Sequence, residues 1–172
     1  MNYKEIENQI FKFDKDLYCH CKNTGDYVCI FGENIFDDMD LLKLAGRIHD
    51  IGKIYISKNI LMKPGPLSSE ERKEIDKHSL YGYQILQTYG VPEDLCSIVL
   101  MHHGNYTEGC DKRLVLAANI LRAADIFDAV TSVRPYHQAM SCEDAYNIVK
   151  TQKNPIPDVI TENVRKYTML VH

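Results

Sequence analysis

The amino-acid sequence predicts an all-α protein, a single bundle of about seven helices. Apolar residues recur at helical spacing along most of the 172 residues, and the alternation typical of β-strands is nearly absent. Capping residues, glycines and prolines separate these apolar segments. Because no internal repeat or long linker divides the chain, we expect residues 1–172 to form one domain around one hydrophobic core.

Composition and charge exclude several classes of protein. The net charge is −4 without any basic block, so a site for long nucleic acid is not expected. No apolar run approaches the ~20 residues of a membrane span, and the first residues are typical of an amphipathic helix rather than a signal peptide. The six cysteines include no Cys-x-x-Cys pair, which favours reduced thiols and a cytoplasmic protein. Nothing in the sequence indicates the oligomeric state.

The first elements are predicted to be helical. From Tyr3 to about Cys21 the apolar residues follow a 3.6-residue period, and this helix carries Asp16 and His20 one turn apart. Residues 23–26 are of types found in turns, yet residues 27–31 resume an apolar run, which we interpret as helix rather than strand.

The organising element is the helix from Asp37 to Ile51, which ends in the pair His49-Asp50. Its apolar face places this pair beside the core, where an unpaired carboxylate would be costly. A divalent metal shared by the two side chains would neutralise Asp50, whereas the alternative is a dipole-stabilised histidine with a solvated aspartate. Gly52 is expected to end the helix in the left-handed conformation and to bring Lys53 beside the pair.

The second half of the chain continues as helices joined by loops. Residues 55–67 contain Lys-Pro-Gly-Pro and are expected to form an ordered loop without regular structure. A capping box at Ser68 and Glu71 begins the next helix, which runs to about Tyr89. The remaining helices are predicted at Pro92–His103, Arg113–Thr131, Ser141–Thr151 and Asp158–Tyr167.

Five histidines lie at helix ends or on apolar faces, and together they suggest a metal centre. Any one of them alone is more often a hydrogen-bonded core residue. Two aspartates share the same apolar settings, so the candidate ligands are His20, His49, Asp50, His78, His102, His103 and Asp125. Seven ligands exceed the needs of one tetrahedral zinc ion, which favours two ions. Imidazole and carboxylate without thiolate favour iron or manganese, with nickel, zinc or magnesium as alternatives.

This ordered set resembles the HD superfamily of metal-dependent phosphohydrolases, and most closely its HD-GYP branch, whose members hydrolyse cyclic di-GMP. The resemblance extends from about Asp16 to about Tyr167, nearly the whole chain. The matching segments are His49–Lys53, Ile60–Leu67, the helix of His78, His102-His103, Ala124–Ser132 and Arg134–Tyr136.

The resemblance implies an HD-domain bundle that acts as a phosphodiesterase on a cyclic dinucleotide such as cyclic di-GMP, through a metal-bridging hydroxide. Asp50 would bridge two divalent ions. His49, Asp125 and His20 would complete the ligands of one ion. His78, His102 and His103 would complete those of the other.

The resemblance also implies roles for residues outside the ligand set. Lys53 and Arg134 would hold the phosphate oxygens and act with Asp50 in catalysis, although Lys53 could instead complement a helix dipole and Arg134 could anchor a loop. His137 takes the place of a basic residue after Arg-Pro-Tyr and would contact substrate. Asp16 matches a position that recruits a third metal in some relatives, or it is a solvated helix acid.

One departure from the family pattern leaves alternatives open. The loop at residues 104–112 is short and contains no Gly-Tyr-Pro segment, although the HD-GYP pattern places that segment there. The alternatives are therefore another HD-type phosphohydrolase of nucleotides or phosphoesters, and a silent module that binds metals and a nucleotide. Each would take a small phosphorylated ligand.

Overall fold

The structure is a computed structural model that describes residues 3–106, 108–133 and 138–171. These residues form ten α-helices and one short 3₁₀ helix, with no β-strand among them, so the predicted all-α class is confirmed. The α-helices are α1 Tyr3–Phe13, α2 Lys15–Phe31, α3 Met39–Ile48, α4 Lys58–Leu61, α5 Ser69–Asp76, α6 His78–Thr88, α7 Glu93–Met101, α8 Lys112–Thr131, α9 Cys142–Lys150 and α10 Asp158–Leu170.

The structure has more helices than the predicted seven because two predicted helices are divided and because α4 forms within residues 55–67. The prediction that residues 55–67 lack regular structure is therefore wrong. Asp14 leaves the helical conformation and accepts a hydrogen bond from the backbone amide of Leu17, which ends α1 and begins α2. Lys77 separates α5 from α6, although its backbone remains in the right-handed helical region. Apolar periodicity continues across both breaks, so it could not reveal them. The capping box of Ser68 and Glu71 is confirmed by both of its hydrogen bonds.

Residues 23–26 are of types found in turns, but they are helical in the structure. They lie inside α2, which crosses α3 at Gly46; a side chain at Gly46 would begin 2.6 Å from the Cα atom of Gly25. The glycines therefore let the two backbones approach closely. The helical interpretation of residues 27–31 is confirmed, because α2 continues to Phe31.

The prediction that Gly52 adopts the left-handed conformation is wrong, although Lys53 does lie beside Asp50 as expected. Gly52 is not among the residues with positive φ and lies in the 3₁₀ helix Ile51–Tyr55, which packs against α6. A Cβ atom at this position would lie 1.9 Å from the carbonyl oxygen of His78. Close packing, rather than a left-handed turn, thus requires glycine here, and it brings His78 beside Asp50.

The hydrophobic core surrounds α2, which packs against both α3 and α8. Phe31 of α2, Leu42 of α3 and Phe127 of α8 are fully buried in it. None of the helices in the described ranges is long and apolar enough to cross a membrane.

Candidate metal centre

Five parts of the fold bring the seven predicted ligands together. His20 comes from α2, the pair His49-Asp50 follows α3, and His78 begins α6. The pair His102-His103 follows α7, and Asp125 lies in α8. Their donor atoms form three groups, in each of which all atoms lie within 4.8 Å of one another: His78, His102 and His103; His20, His49 and Asp50; His49, His102 and Asp125.

Three of the histidines are oriented in the same way by the helix ends that carry them. In each, the Nδ1 atom lies within hydrogen-bond distance of a carbonyl oxygen three residues earlier, so the Nε2 atom faces the cluster. The pairs are His49 with Gly46 at 2.8 Å, His78 with Ile75 at 2.6 Å and His102 with Val99 at 2.5 Å.

Asp50 faces both halves of the cluster. Its side chain is 1% exposed, and its Oδ1 atom lies 3.2 Å from Nε2 of His78. Its Oδ2 atom lies 3.4 Å from Nε2 of His49 and 3.7 Å from Nε2 of His20. The Nζ atom of Lys53 lies 2.5 Å from the same Oδ2 atom. Each carboxylate oxygen is thus directed to a different set of imidazoles.

His20 is held by a buried carboxylate behind it. Its Nδ1 atom donates to Oδ2 of Asp128 at 2.6 Å, and its Nε2 atom lies 3.0 Å from Oδ1 of Asp125. Asp128 also accepts hydrogen bonds from the amide of Asn23 at 2.9 Å and the hydroxyl of Ser132 at 2.8 Å. Asp128, one turn after Asp125, thus orients a histidine of the cluster rather than facing the other donor atoms.

The carboxylates of the cluster are strongly stabilised in their charged form. Burial opposes ionisation of Asp50, but Lys53 and His49 outweigh it and hold the pKa of this carboxyl well below its usual range. Burial likewise opposes ionisation of Asp125, and His20 and His49 hold the pKa of Asp125 well below its usual range. Both groups therefore present negative charge to a cation at neutral pH.

The histidines of the cluster differ in the direction in which their pKa values are shifted. Burial lowers the pKa of His102 far below its ordinary value and the pKa of His103 to about 4, which keeps both neutral and able to coordinate. Burial also disfavours a charged His49, yet Asp50 and the other neighbouring groups raise its pKa well above the ordinary value. In the metal-free protein, a proton on His49 thus supplies part of the positive charge that a metal ion would otherwise bring to the cluster.

The residues fit a metal centre, as one orphaned atom shows. The Nε2 atom of His49 is fully buried and makes no hydrogen bond, although Oδ2 of Asp50 lies 3.4 Å from it and its Nδ1 atom is paired with Gly46. A buried polar atom without a partner is costly, and coordination would satisfy it. The donor set of imidazole and carboxylate is suited to divalent first-row ions.

A cleft of about 430 Å³ opens beside His20, a volume in the range of small-molecule sites. Its lining includes the apolar residues Phe13, Leu61 and Met62. Lys53 lines the cleft, as do polar side chains of α2 and the end of α8.

The other predicted site residues are not all in the cluster. Asp16 is exposed and lines the cleft, outside the three groups of donor atoms found in the described residues. Arg134 and His137 lie outside the described residues. Sequence reasoning missed Asn23 and Ser132, which hold Asp128. The available signal was that Asn23 follows the predicted ligand His20 by about one helical turn.

The fold and the cluster define an all-helical protein with a buried histidine and aspartate centre able to hold divalent metal. A sequence model of the HD domain matches residues 17–130, and the chain belongs to the HD domain family. The resemblance on which the sequence analysis relied is thereby confirmed.

Several curated relatives are bacterial phosphodiesterases. A cyclic di-GMP phosphodiesterase of Thermotoga maritima is 33% identical over 91% of this chain and 46% of its own length. The 3'3'-cGAMP-specific phosphodiesterase 1 of Vibrio cholerae is 32% identical over 75% of this chain and 33% of its own length. The chain thus spans between a third and a half of these relatives.

Solved structures show the same fold. The HD domain of the Listeria monocytogenes phosphodiesterase PgpH superposes with a TM-score of 0.70 at 17% identity, over 97% of this chain and 99% of that domain. The same domain has also been solved in complex with cyclic-di-AMP, with a TM-score of 0.69.

Proposed function

We propose that this chain is a metal-dependent phosphodiesterase that hydrolyses a cyclic dinucleotide to a linear one. The observation that carries the proposal is the position of Asp50, whose two oxygens face separate groups of imidazoles. The relatives named above act on cyclic di-GMP or on 3'3'-cGAMP, which supports this substrate class.

Two divalent ions would be held, with iron or manganese the expected metals. His78, His102 and His103 would bind one ion. His20, His49 and Asp125 would bind the other, and Asp50 would bind both. When bound, such a pair of ions activates water as a nucleophile at neutral pH and neutralises charge on the phosphate.

The side chains of the protein itself would position the phosphodiester. Lys53 lines the cleft and lies beside Asp50, where its ammonium can hold a non-bridging phosphate oxygen as charge develops. We assign the same role to Arg134, with His137 as a further substrate contact. Asp16, on the cleft wall, remains a candidate ligand for a third ion.

We assign the chain to the cytoplasm. A reducing compartment would suit its unbridged thiols, which include Cys19, Cys21, Cys29, Cys96 and Cys142.

A different phosphohydrolase activity is the second candidate. The short segment after His103 leaves that ligand partly exposed, so this side of the centre is open to solvent. An open centre would admit phosphoesters other than a cyclic dinucleotide. A silent module that binds metals and a nucleotide is the third candidate.

The test is turnover by protein loaded with manganese or iron(II). We expect cyclic di-GMP or a related cyclic dinucleotide to yield the linear product, and Asp50→Ala to lose bound metal and activity together. The control is Asp26→Ala, because Asp26 is an exposed residue of α2. Turnover of an aryl phosphodiester without any cyclic dinucleotide would favour the second candidate. No turnover despite two bound ions would favour the silent module.

A further inference from the structure

His103 differs from the other histidines of the cluster in how its ring is held. The Nδ1 atoms of the other four each face a carbonyl oxygen or a carboxylate. Within the described ranges, the ring of His103 has one hydrogen-bond contact, between its Nε2 atom and that of His78 at 3.0 Å. The ring of His102 lies against it, with 3.9 Å between centroids. The direction of the His103 ring therefore depends on its backbone and on packing.

The backbone that carries His103 turns sharply at the next residue, Gly104. Gly104 has a φ of 81°, and its amide donates to the carbonyl oxygen of Met101 at 2.8 Å. The guanidinium of Arg122, on α8, lies directly against this turn. A Cβ atom at Gly104 would lie 3.2 Å from Nη1 of Arg122 and 3.4 Å from the side-chain nitrogen of Asn154.

The guanidinium of Arg122 is fixed in this position by the connection between α9 and α10. Its Nη1 atom donates to the carbonyl oxygen of Asn154 at 3.0 Å, and its Nη2 atom donates to Oε1 of Gln152 at 3.3 Å. Arg122 is 7% exposed, and among the described residues no carboxylate pairs with it. A buried cation with neutral partners alone is costly, so ion pairing does not explain its place. Its rigid fork instead joins two segments of the chain to α8.

A second polar residue of α8 contacts the same segment. Asn119, 2% exposed and about one turn before Arg122, donates to the carbonyl oxygen of Val115 at 2.9 Å, and its amide nitrogen lies 3.2 Å from the hydroxyl of Tyr106. About one turn after Arg122, the same helix carries Asp125, a candidate ligand of the other ion. One helix thus carries a ligand of one group and contacts the backbone that carries a ligand of the other.

We propose that Arg122 is a positioning residue for His103, acting through the turn at Gly104, and that α8 thereby fixes the two groups of ligands relative to each other. The proposal rests on the metal centre of the proposed function and is independent of the substrate. Arg122 itself does not touch the metal or the phosphodiester in this account.

The test is calorimetric titration of the full metal-free chain with manganese, for Arg122→Met, His103→Ala and the double variant. We expect Arg122→Met to weaken binding by about tenfold, as the loss of a group that orients a ligand does. Because Arg122 acts through His103, the double variant should bind no more weakly than His103→Ala alone. Arg165→Met makes the same change at an exposed position of α10 and should leave the affinity unchanged.

Three results would overturn the proposal. A guanidinium that acted only by its charge would repel the ions, so Arg122→Met would bind manganese more tightly. A role in stability alone would lower the urea midpoint and leave the affinity unchanged. Losses that add in the double variant would show that Arg122 acts independently of His103.

If Arg122→Met does not fold, Gly104→Ala disturbs the same contact from the other side. It should weaken manganese binding, again without adding to the effect of His103→Ala, and wild-type affinity in Gly104→Ala would overturn the proposal. Titrations with the expected pattern in a chain that hydrolyses no phosphodiester would contradict the proposed function alone. Hydrolysis of a cyclic dinucleotide together with wild-type affinity in Arg122→Met would contradict the positioning role alone.

Discussion

Among single residues, Asp128 does the most to organise the centre without facing it directly. It fixes the ring of His20 through Nδ1 and accepts two further hydrogen bonds from the cleft wall. A carboxylate behind a ligand histidine sets the orientation and basicity of the ring. Loss of the Asp128 charge should therefore weaken metal binding more than it lowers the stability of the fold.

We predict that Asp128→Asn weakens manganese binding by about 10- to 100-fold, because an amide of the same size cannot accept all three hydrogen bonds. Titration calorimetry of metal-free protein measures the affinity directly. Asp26→Asn, a matched change at an exposed position of α2, should have no effect. Wild-type affinity in Asp128→Asn would show that His20 does not depend on this carboxylate for binding.

Lys53 is predicted to matter for turnover rather than for metal binding. Its ammonium now neutralises Asp50, so Lys53→Met removes a cation that competes with metal, and binding should be as tight as in the wild type or tighter. Activity on a phosphodiester should fall by about 10²-fold, because a group that stabilises the transition state is lost. Lys43→Met, on the surface of α3, provides the control. Unchanged kcat in Lys53→Met would exclude the proposed role.

At the scale of elements, the 3₁₀ helix and α6 form the joint that brings His78 to Asp50. Gly52 permits this joint, because the carbonyl of His78 occupies the space of its missing Cβ atom. Gly82, on α6, lies in the same joint but meets a flexible Val99 side chain at 3.3 Å.

We predict that Gly52→Ala lowers the free energy of unfolding by about 3 kcal/mol or more, because backbone must move to admit the methyl group. It should also weaken metal binding, since His78 moves with α6. Gly82→Ala should change stability by less than about 1 kcal/mol, because a side chain can yield. Urea denaturation of the metal-free proteins measures both values. Similar stability of the two variants would contradict the close packing.

Features of the elements that depend on local sequence could be predicted, whereas features that depend on packing could not. The helical class, the capping box and the histidine cluster could be predicted because apolar periodicity, capping residues and histidines on apolar helix faces are local signals. The role of Gly52 could not, because it depends on the close packing of α6 against the 3₁₀ helix. Asn23 was missed for the same reason, since its partner Asp128 is far from it along the chain. The break at Asp14 is a local cap, but apolar periodicity continues across it.

For the whole molecule, metal binding should be linked to protons and to stability. His49 has a raised pKa in the metal-free protein and must lose its proton to coordinate. Protons and metal therefore compete, and acidification favours the protonated form. The proposed ions would join residues from five parts of the fold, so bound metal should stabilise the folded state.

We predict that the apparent affinity for manganese falls as the pH is lowered from 8 to 6, by about tenfold per pH unit for each proton displaced. Calorimetry in buffers of different ionisation enthalpy counts these protons. The thermal unfolding temperature should rise with manganese concentration at pH 8 and rise less at pH 6. An affinity independent of pH would show that no ligand is protonated in the metal-free protein.

Anomalous diffraction from crystals of the manganese-loaded chain would locate the bound ions. We predict two peaks that share Asp50 as a ligand, one beside His78, His102 and His103 and the other beside His20, His49 and Asp125. The absence of any peak among these residues, or a single peak that Asp50 does not contact, would contradict the proposed two-metal centre.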